Sequence, residues 1–544
     1  MSSSLRLSYA RRSVFGAGLK YDVIVIGSGF GGAVTACRLA ERGMRVLVLE
    51  RGRRWAPEEY PRHPGDAWFW SQRRPQRANG WIDFRIWDSM SVAQGAGVGG
   101  GSLIYANIVV DARPEVFEKG WPAEITHGEL RQYYDRVARM MNVQQVPENQ
   151  RPHRFRLMQE AAEKAGHKAR FRPLPLGVTF DPEWSYDRPD AFGEHQSKKW
   201  VNDQGVEQGT CVHCGHCDLG CRVRAKNTLD VNYIPWAERH GAEVRPLHQV
   251  ERITPRAYGK GFRVDFRRYD GGRPHVAYEE ADRVIVAAGS LGSTELLLRC
   301  RDQYQTMPRL SPALGYNWSS NGDFLTPAVY TDREVEPSQG PTITCAIDFL
   351  DGTHGDQRFF IEDGGFPDLL GMAMESEKRG GKRDRRFDLM IAAMKQVVRV
   401  SNDPCHKIMP WFAQGVDAGD GRLYLGRPRF APWRRELMLD WRIGRSQGVI
   451  DAIVAMHTQL SEVTGGTARI PPSWSLLKSL VTPHPLGGCN MADTPDRGVV
   501  DHRGQVFNYP GLYVADGAIV PRAIGINPSK TIAALAERTA EMMV

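Results

Sequence analysis

The chain has 544 residues, of which 41% are hydrophobic and 25% are charged, as in a globular protein large enough for two or more domains. Its net charge is +8, but the basic residues are not interleaved with aromatic residues as in a nucleic-acid groove, so we expect no nucleic-acid partner. No apolar run reaches the length of about 18 residues that suggests a membrane-spanning helix.

Two basic segments bear on location and partners. Arg11 and Arg12 resemble a twin-arginine signal, but no apolar segment with a small-residue cleavage site follows them. Residues 378–386 hold the densest basic cluster, for which we predict a solvated loop, with contact to an anionic lipid surface as the alternative. The cysteines are odd in number and four share one short segment, unlike a secreted disulfide framework, so we predict a cytoplasmic protein.

Residues 21–52 have the pattern of a dinucleotide-binding unit. An apolar, β-branched run predicts a central strand, and Gly27, Gly29 and Gly32 then form a G-x-G-x-x-G motif before a predicted helix. These glycines allow a tight turn, close approach of backbone N–H groups to a pyrophosphate, and close packing of helix on strand. Glu50 ends the next predicted strand, where an acid accepts from a ribose hydroxyl and disfavours a 2′-phosphate, so the predicted ligand is NAD or FAD.

Two further segments favour FAD. Residues 281–290 are a predicted strand that ends in small residues and is followed by a helix at 294–299. Residues 511–517 are another predicted strand, which ends at Asp516 and is followed by a helix at 529–542. A glycine turn and an aspartate beside a final helix are typical of flavoproteins that close over FAD in this way.

Four cysteines lie in one short segment: Cys211, Cys214, Cys217 and Cys221. Their spacing equals that of the bacterial ferredoxin run, although Arg222 follows the fourth cysteine where a ferredoxin has proline. Three interpretations remain open: an iron–sulfur cluster that passes electrons from reduced FAD to a partner, a structural zinc site, and metal-free thiols or a disulfide that pin a loop. His213 and His216 could substitute as ligands.

The segment 481–490, with the sequence VTPHPLGGCN, is the most informative of the chain. Prolines on both sides of His484 restrict the backbone, and the two glycines that follow allow it to approach a flat group closely. The pattern predicts a loop that holds one imidazole at a fixed position beside a cofactor. The segment Gly525-Ile526-Asn527-Pro528 follows about forty residues later.

A second glycine-rich loop lies at residues 94–108. Together with the first glycine loop, the HPLGGC segment and the C-terminal GINPSKTIAALAER segment, it resembles the glucose–methanol–choline (GMC) oxidoreductases, most closely the bacterial cholesterol oxidases with non-covalent FAD. The resemblance extends over residues 21–537 and is looser at 55–90 and 380–470. The four-cysteine segment is where the chain departs from the secreted cholesterol oxidases.

The resemblance implies three catalytic residues. His484 would be the base that takes the alcohol proton, and Asn527 would hold the hydroxyl from the opposite side. Glu362, in a predicted strand at 358–363, would be a second base that moves the C4 proton to C6 in an isomerisation. The electron acceptor would be O2 in an oxidase, or a protein or quinone in a dehydrogenase.

The resemblance also assigns FAD contacts to the glycine loops, to the strand that cradles the adenine and to the C-terminal motifs. These residues are Gly27, Gly29, Phe30, Gly31, Gly32, Glu50, Gly97, Gly99, Gly100, Gly101, Ser102, Asn107, Val250, Ala288, Gly289, Asp516, Gly517 and Pro528.

The implied architecture is α/β, with a Rossmann-like FAD-binding domain and a discontinuous α+β substrate domain built on a mainly antiparallel sheet. The FAD-binding domain is predicted to comprise residues 18–130, 225–322 and 484–544, and the substrate domain residues 131–224 and 323–483. Within the substrate domain we expect strands at 342–349 and 436–441 and a helix at 448–462.

The leading functional prediction is FAD-dependent oxidation of a bulky apolar secondary alcohol, such as a 3β-hydroxysteroid, to the ketone by hydride transfer to flavin N5, with isomerisation as an additional step. One alternative is an FAD dehydrogenase of an aromatic or terpenoid alcohol that passes electrons to a protein or quinone. The other is a non-catalytic flavin electron carrier, which would need no base such as His484.

Overall fold

The computed structural model describes residues 20–256, 261–270, 273–368, 388, 392, 406–429, 432–475 and 478–544. The Arg11–Arg12 pair and the basic cluster at 378–386 lie outside the described residues, so their predictions are not assessed. Within the described ranges, every helix is too short or too polar to cross a lipid bilayer.

The helices and strands are as follows, in chain order. The helices are α1 (Phe30–Glu41), α2 (His127–Met140), α3 (His153–Lys164), α4 (Tyr233–Arg239), α5 (Gly289–Leu298), α6 (Gln447–Val463), α7 (Pro472–Ser475) and α8 (Ser529–Met542). The strands are β1 (Tyr21–Ile26), β2 (Val46–Leu49), β3 (Ile82–Ile86), β4 (Met90–Gly95), β5 (Phe171–Pro173), β6 (Lys199–Val201), β7 (Glu207–Gly209), β8 (Glu243–Arg245), β9 (His248–Pro255), β10 (Phe262–Arg268), β11 (His275–Val286), β12 (Phe324–Val329), β13 (Cys345–Asp348), β14 (Phe359–Asp363), β15 (Ile408–Gly415), β16 (Arg422–Gly426), β17 (Glu436–Asp440), β18 (Thr467–Ala468), β19 (Leu480–Thr482) and β20 (Leu512–Val514).

The first large sheet has the strand order β8-β2-β1-β11-β10-β9, with β20 also pairing with β11. The strands around β1 are parallel, whereas β9, β10 and β11 are antiparallel. Strand β1 is apolar along its length and almost wholly buried, because α1, α4 and α8 cover one face of the sheet. The Rossmann-like sheet predicted from residues 21–52 is therefore confirmed.

The second large sheet has the strand order β18-β12-β15-β14-β13-β5, and all its neighbouring strands are antiparallel. Helices α3 and α6 cover it on one side. The predicted antiparallel sheet and the helix at 448–462 are confirmed. The strand expected at 436–441 is placed differently, because Glu436–Asp440 pairs with Arg422–Gly426 in a separate hairpin.

A small sheet of β3, β4 and β19 connects the two halves of the molecule. Strand β19 runs parallel to β4, with Leu480 opposite Met90, and it ends two residues before His484. Helix α2 packs on α8, so the predicted domain boundary at residue 130 falls inside a helix that contacts the first half. The division into two domains itself remains a prediction.

Candidate active site

A cavity of about 560 Å³ lies between the two large sheets. Its lining contains the glycine loops on one side and, on the other, residues of the antiparallel sheet together with the segments around residues 484 and 527. The cavity therefore has a backbone-rich side and a side-chain-rich side, which we call the glycine wall and the polar corner. The polar corner comprises His484 and Asn527, which line the cavity, and the side chains hydrogen-bonded behind them, Asp323, Glu362 and Gln414.

The glycine wall is fixed by contacts that leave no room for a side chain. A Cβ atom on Gly31 would lie 1.4 Å from the carbonyl oxygen of Ala515, and one on Gly32 would lie 2.0 Å from the carbonyl oxygen of Gly27. Gly27 also has a φ of +99°, in the left-handed region that favours glycine. Strand, turn and helix thus approach one another as the G-x-G-x-x-G motif predicts.

Glu50 lies at the end of β2 and lines the cavity. One of its carboxylate oxygens accepts hydrogen bonds from the N–H and the hydroxyl of Ser28, at 3.0 and 2.7 Å, and the other accepts from the N–H of Gly52 at 2.9 Å. These bonds hold the carboxylate facing the cavity, where the sequence predicts a contact with a ribose hydroxyl.

Asp516 lies at the other end of the glycine wall. Its carboxylate accepts from the N–H of Gly289 at 2.8 Å and from the hydroxyl of Ser293, and so it stabilises the N-terminus of α5. Helix α5 begins at Gly289, where these hydrogen bonds are made, and not at residue 294 as predicted from the sequence. Burial raises the pKa of Asp516 to about 6, although its hydrogen bonds oppose the shift.

Most of the predicted FAD contacts line the cavity. These are Gly27, Gly29, Phe30, Gly31, Glu50, Gly100, Gly101, Val250, Ala288, Gly289, Asp516, Gly517 and Pro528. The other five lie behind the lining: Gly32, Gly97, Gly99, Ser102 and Asn107. Gly97 packs against Trp55, and the hydroxyl of Ser102 binds the carbonyl of Gly99 and the N–H of Leu229, so both support the loop rather than face the cavity.

The glycine wall has the features that a bound dinucleotide requires. Asn107 is buried, yet neither its amide nitrogen nor its amide oxygen has a hydrogen-bond partner. A buried amide without partners is costly, and this one lies directly behind the lining, between Ala106 and Ile108, which both line the cavity. Gly101 lines the cavity, and a Cβ there would meet no atom within 4 Å, which leaves open space next to the loop. These residues fit FAD.

The antiparallel sheet presents one row of side chains to the cavity. Directly opposite one another across β12, β15, β14, β13 and β5 are Leu325, Phe412, Glu362, Ala346 and Arg172. Residues that are directly opposite share a face of the sheet, and Leu325 and Phe412 line the cavity. Glu362 therefore projects from the face of the sheet that is directed towards the cavity. The catalytic role predicted for it needs this orientation.

The imidazole of His484 is held by a buried carboxylate. Its Nδ1 lies 2.9 Å from Oδ1 of Asp323, whose side chain is inaccessible to solvent, and the other carboxylate oxygen, Oδ2, accepts from the hydroxyl of Thr482. A carboxylate can only accept here, so Nδ1 carries the hydrogen and Nε2 is left as the acceptor. Burial disfavours the charged imidazole, but the charge of Asp323, and then that of Glu362, outweighs burial and raises the pKa of His484.

Glu362 and Asn527 meet at the back of the polar corner. One carboxylate oxygen of Glu362 accepts from the amide of Gln414 at 2.9 Å and lies 3.5 Å from the amide nitrogen of Asn527. The other oxygen of Glu362 and the amide oxygen of Asn527 are buried without partners. Burial raises the pKa of Glu362 to about 8, against the opposing effects of Gln414 and His484.

Neighbouring acids on β14 have different environments, because successive side chains alternate between the faces of a strand. Asp363 faces away from the cavity and pairs with Arg154 at 3.1 Å, with both side chains inaccessible. It also accepts from the backbone N–H groups of Thr344 and Cys345. Asp363 thus has a structural role, whereas Glu362 keeps an unpartnered oxygen.

The four predicted metal-binding cysteines are free thiols. Burial raises the pKa of Cys211 and Cys221, and it raises that of Cys214 to about 12. His213 stacks on Trp184 and lies 3.0 Å from the side-chain oxygen of Gln150, which gives it a packing role. In the part of the chain that the structure describes, no three His, Cys, Asp or Glu side chains are arranged to hold a metal ion, so neither the iron–sulfur cluster nor the zinc site is supported.

Comparison with known proteins agrees with this architecture. Residues 198–301 and 446–536 match the GMC oxidoreductase family models, and residues 22–184 match the FAD dependent oxidoreductase model. A cholesterol oxidase of Acinetobacter baumannii is 30% identical over 95% of this chain and 93% of its own length. A cholesterol oxidase of Mycobacterium tuberculosis is 32% identical over 96% of this chain and 91% of its own.

Solved structures show the same fold. The formate oxidase of Aspergillus oryzae, in an R554A variant, has a TM-score of 0.65 at 14% identity, and the match covers 97% of this chain and 98% of that one. The fold and the cavity define an FAD-dependent alcohol oxidoreductase. The chain belongs to the GMC oxidoreductase family, as the resemblance indicated. It is an enzyme, which removes the non-catalytic carrier from the alternatives.

Two residues of the polar corner and one apolar residue of the cavity lining were not found by sequence reasoning. Asp323 directly precedes β12, and Phe412 and Gln414 lie in β15, far along the chain from His484. No motif marks them. The only local signal was the Asn321-Gly322-Asp323 turn before an apolar strand, which is not specific for an acid beside a histidine.

Proposed function

We propose that this enzyme oxidises a bulky apolar secondary alcohol, of the 3β-hydroxysteroid class, to the ketone. The observation that carries the proposal is the hydrogen bond from His484 to Asp323, which leaves Nε2 as an acceptor in a cavity with Asn527 beside it. The cholesterol oxidase relatives support the steroid class, and the apolar side chains of Leu325, Ile343 and Phe412 suit such a substrate.

His484 would act as the base. Because Asp323 accepts from Nδ1, the free nitrogen of the neutral ring can take the hydroxyl proton as the C–H bond breaks. Asp323 then stabilises the imidazolium, as the raised pKa of His484 indicates. Asp323 is thus a positioning residue that acts through His484.

Asn527 would orient the substrate. It lines the cavity next to the same corner, and its amide oxygen has no partner in the protein. A hydrogen bond between the substrate hydroxyl and this amide would fix the oxygen relative to His484. The bound substrate would thereby satisfy a polar atom that is otherwise buried at a cost.

Glu362 would move a proton rather than begin the oxidation. With a pKa of about 8 it holds a proton near neutral pH, and its unpartnered oxygen is available for transfer. If the product is a 5-en-3-one, the ionised form of Glu362 would take the proton from C4 and deliver it to C6, which gives the conjugated 4-en-3-one. Gln414 keeps the carboxyl group in place.

Bound FAD would supply the hydride acceptor. We propose that it is held non-covalently by the glycine wall, since residues 94–102 contain no His or Cys to which a flavin could be attached. Denaturation should release unmodified FAD into the supernatant, whereas flavin that stays on the precipitated chain would contradict this part of the proposal.

The test of the function is an anaerobic panel of alcohols, with flavin absorbance as the readout. We expect sterols with a 3β-hydroxyl to bleach the flavin, and short or aromatic alcohols to do so far more slowly. A chain that is reduced by an aromatic or terpenoid alcohol but by no sterol would favour the dehydrogenase alternative. Addition of O2 or of an artificial one-electron acceptor then identifies the acceptor class.

A further inference from the structure

The antiparallel sheet, with the segments that flank its strands, and the cysteine loop (residues 211–221) contribute a mostly apolar part of the cavity lining. Its apolar residues and glycines are Leu219, Leu325, Ile343, Gly364, Gly365 and Phe412. Among the described residues of this part, the two polar ones are Asp218 and Thr342. The proposed alcohol oxidation gives neither of them a role. A carboxylate in an apolar lining is costly unless a partner offsets it, so Asp218 points to a polar group of a ligand.

The two oxygens of the Asp218 carboxylate have different surroundings. The hydroxyl of Thr342 donates to Oδ1 at 3.3 Å. Within the described residues Oδ2 has no hydrogen-bond partner, and Asp218 is only half-buried. One acceptor oxygen of a residue that lines the cavity is therefore available to a ligand.

The charges around Asp218 indicate which kind of group would bind there. Burial raises its pKa to about 6, against the opposing effects of Lys226, Thr342 and Arg154. Above that pH the side chain is a carboxylate, which can only accept hydrogen bonds. Because two cations of the protein already act on it, a positively charged ligand group is not required. A neutral donor, such as a hydroxyl group, fits this environment.

The backbone of the cysteine loop is fixed before any ligand binds. The side chains of Lys226, Trp81 and Arg62 donate hydrogen bonds to carbonyl groups of residues 217–220. The bond to the carbonyl of Asp218 itself, from the indole N–H of Trp81, is 3.1 Å long. The carboxylate is thus held in place by the protein, so a ligand would bind to it with little cost of ordering.

The Asp218 carboxylate lies at one end of the antiparallel sheet, away from the polar corner. Ala346 of β13 is directly opposite Glu362 of β14, and the two strands are antiparallel. The start of β13, which Thr342 precedes, is therefore beside the end of β14, where Gly364 and Gly365 line the cavity. Gly364 is already about 7 Å along the strand from Glu362. Neither glycine has a side chain that could fill the space between the two polar places.

We propose that Asp218 recognises a hydroxyl group of the substrate at the end remote from the reacting carbinol. This inference rests on the proposed function and narrows it, because the substrate would be a 3β-hydroxysteroid with a second hydroxyl on ring D or on the side chain. Oδ2 would accept from that hydroxyl, while Thr342 holds Oδ1. Asp218 takes no part in the oxidation and is a specificity-determining residue.

The first test measures binding to the wild-type FAD holoenzyme in its oxidised form. The ligands are 4-en-3-one steroids, which have no 3-hydroxyl left to oxidise: one with a hydroxyl at C17, one with a hydroxyl on the side chain, and one with neither. We expect one of the hydroxylated ketones to bind about 10-fold or more tightly, the usual effect of a hydrogen bond to a charged group. Equal affinity for all three, measured from the flavin absorbance, overturns the proposal.

Variants of Asp218 assign the preference to this side chain. Asp218→Leu should lose it, whereas Asp218→Asn should keep part of it, because an amide oxygen still accepts a hydrogen bond. In turnover of the corresponding 3β-alcohols, Asp218→Leu should raise KM for the diol and leave kcat unchanged, since a remote contact binds substrate and transition state alike. A preference that persists in Asp218→Leu, or a loss of kcat for both alcohols, would refute the assignment.

Asp363→Asn is the matched control. Asp363 is a buried acid that is also influenced by Arg154, but it faces away from the cavity. This variant should lose stability and keep the preference for the hydroxylated steroid. Loss of the preference in Asp363→Asn as well would mean that it depends on the packing of this region and not on Asp218.

Failure of the proposed function would be visible separately. If no steroid reduces the flavin, the comparison is made with the alcohol that does, against its diol with a remote second hydroxyl. Equal KM values for that pair would overturn the role of Asp218 as well. If Asp218→Leu does not fold, the wild-type affinities and the intermediate preference of Asp218→Asn still decide the question.

Discussion

The glycine wall and the polar corner face each other across one cavity but are built in different ways. The glycine wall consists of backbone segments so close together that a Cβ at Gly31 would overlap the carbonyl of Ala515. The polar corner consists of ionisable side chains from strands far apart in sequence, such as His484 and Asp323. The first is specified by steric exclusion and the second by charge and hydrogen bonding.

Because the two sides are built differently, substitutions in them should have different effects. A substitution in the glycine wall displaces backbone, so its effect should be nearly all-or-none on folding or FAD binding. A substitution in the polar corner changes a proton affinity or removes one hydrogen bond, so it should leave FAD bound and change rates or pH profiles. Four predictions test this contrast.

The largest effect is expected for Gly31→Ala, because the new methyl group would lie 1.4 Å from a carbonyl oxygen that cannot move without the strand that carries it. The variant should yield little folded protein with FAD, as measured by flavin content and circular dichroism. Gly101→Ala is the matched control, since its methyl group meets no protein atom within 4 Å. It should fold normally and change only FAD affinity. Equal FAD content in both variants would show that the wall is not sterically defined.

His484→Ala should keep FAD but slow the reduction of the flavin by alcohol by about 10²-fold or more, the usual effect of a lost general base. Asn527→Ala should also retain FAD and lose a similar factor, since it would no longer orient the hydroxyl. Anaerobic stopped-flow absorbance measures both. If His484→Ala is reduced at the wild-type rate, the polar corner is not the catalytic site.

Asp323→Asn should lower the rate, because the amide no longer enforces the hydrogen on Nδ1 of His484. The carboxylate raises the pKa of His484, so in the wild type the rate falls on the acid side around a value above the ordinary 6.5. Loss of the charge should move this limb of the kcat/KM profile to lower pH. Glu362 is close to the imidazole as well but is protonated in this pH range, so His484 still titrates and the limb should shift but not vanish.

The control for Asp323→Asn is Asp417→Asn. Asp417 is a buried carboxylate close by in the structure that accepts from Ser319 and Ser320 and does not contact His484. It should lose stability but keep the wild-type pH profile. A shift of the acid limb in both variants would mean that the effect is structural and not specific to the imidazole.

The smallest effect on oxidation is expected for Glu362→Gln, which should impair isomerisation more than alcohol oxidation, with a 5-en-3-one accumulating from a sterol substrate. Its effect on stability depends on pH. Burial raises the pKa of Glu362 from 4.5 to about 8, so the folded state binds the proton more tightly than the unfolded chain. The stability that this proton provides is complete below pH 4.5 and is lost as pH rises towards 8.

Glutamine cannot ionise, so the melting temperature of Glu362→Gln relative to wild type should increase between about pH 5 and about pH 9. Thermal unfolding of the two holoproteins across this range measures the difference. A constant difference would show that Glu362 is already ionised at low pH, and its role as a proton store would be wrong.

The sequence by itself determined the glycine wall. One short segment specifies a strand, a turn and a helix, through the spacing of Gly27, Gly29 and Gly32 and the acid at position 50. Because all these constraints lie within this segment, they can be recognised from the sequence. The sequence also determined the antiparallel second sheet and that His484 and Asn527 would belong to one site, the latter through family resemblance.

Only the tertiary structure decided the polar corner. Asp323 reaches His484 because β12 and β19 lie near each other, although 161 residues separate the two side chains. Which of the adjacent acids, Glu362 or Asp363, faces the cavity depended on the register of β14 with β15, since one residue of slip would exchange them. The buried pair of Arg154 and Asp363 likewise depends on folding, because the burial and pairing of charges are not properties of a local sequence.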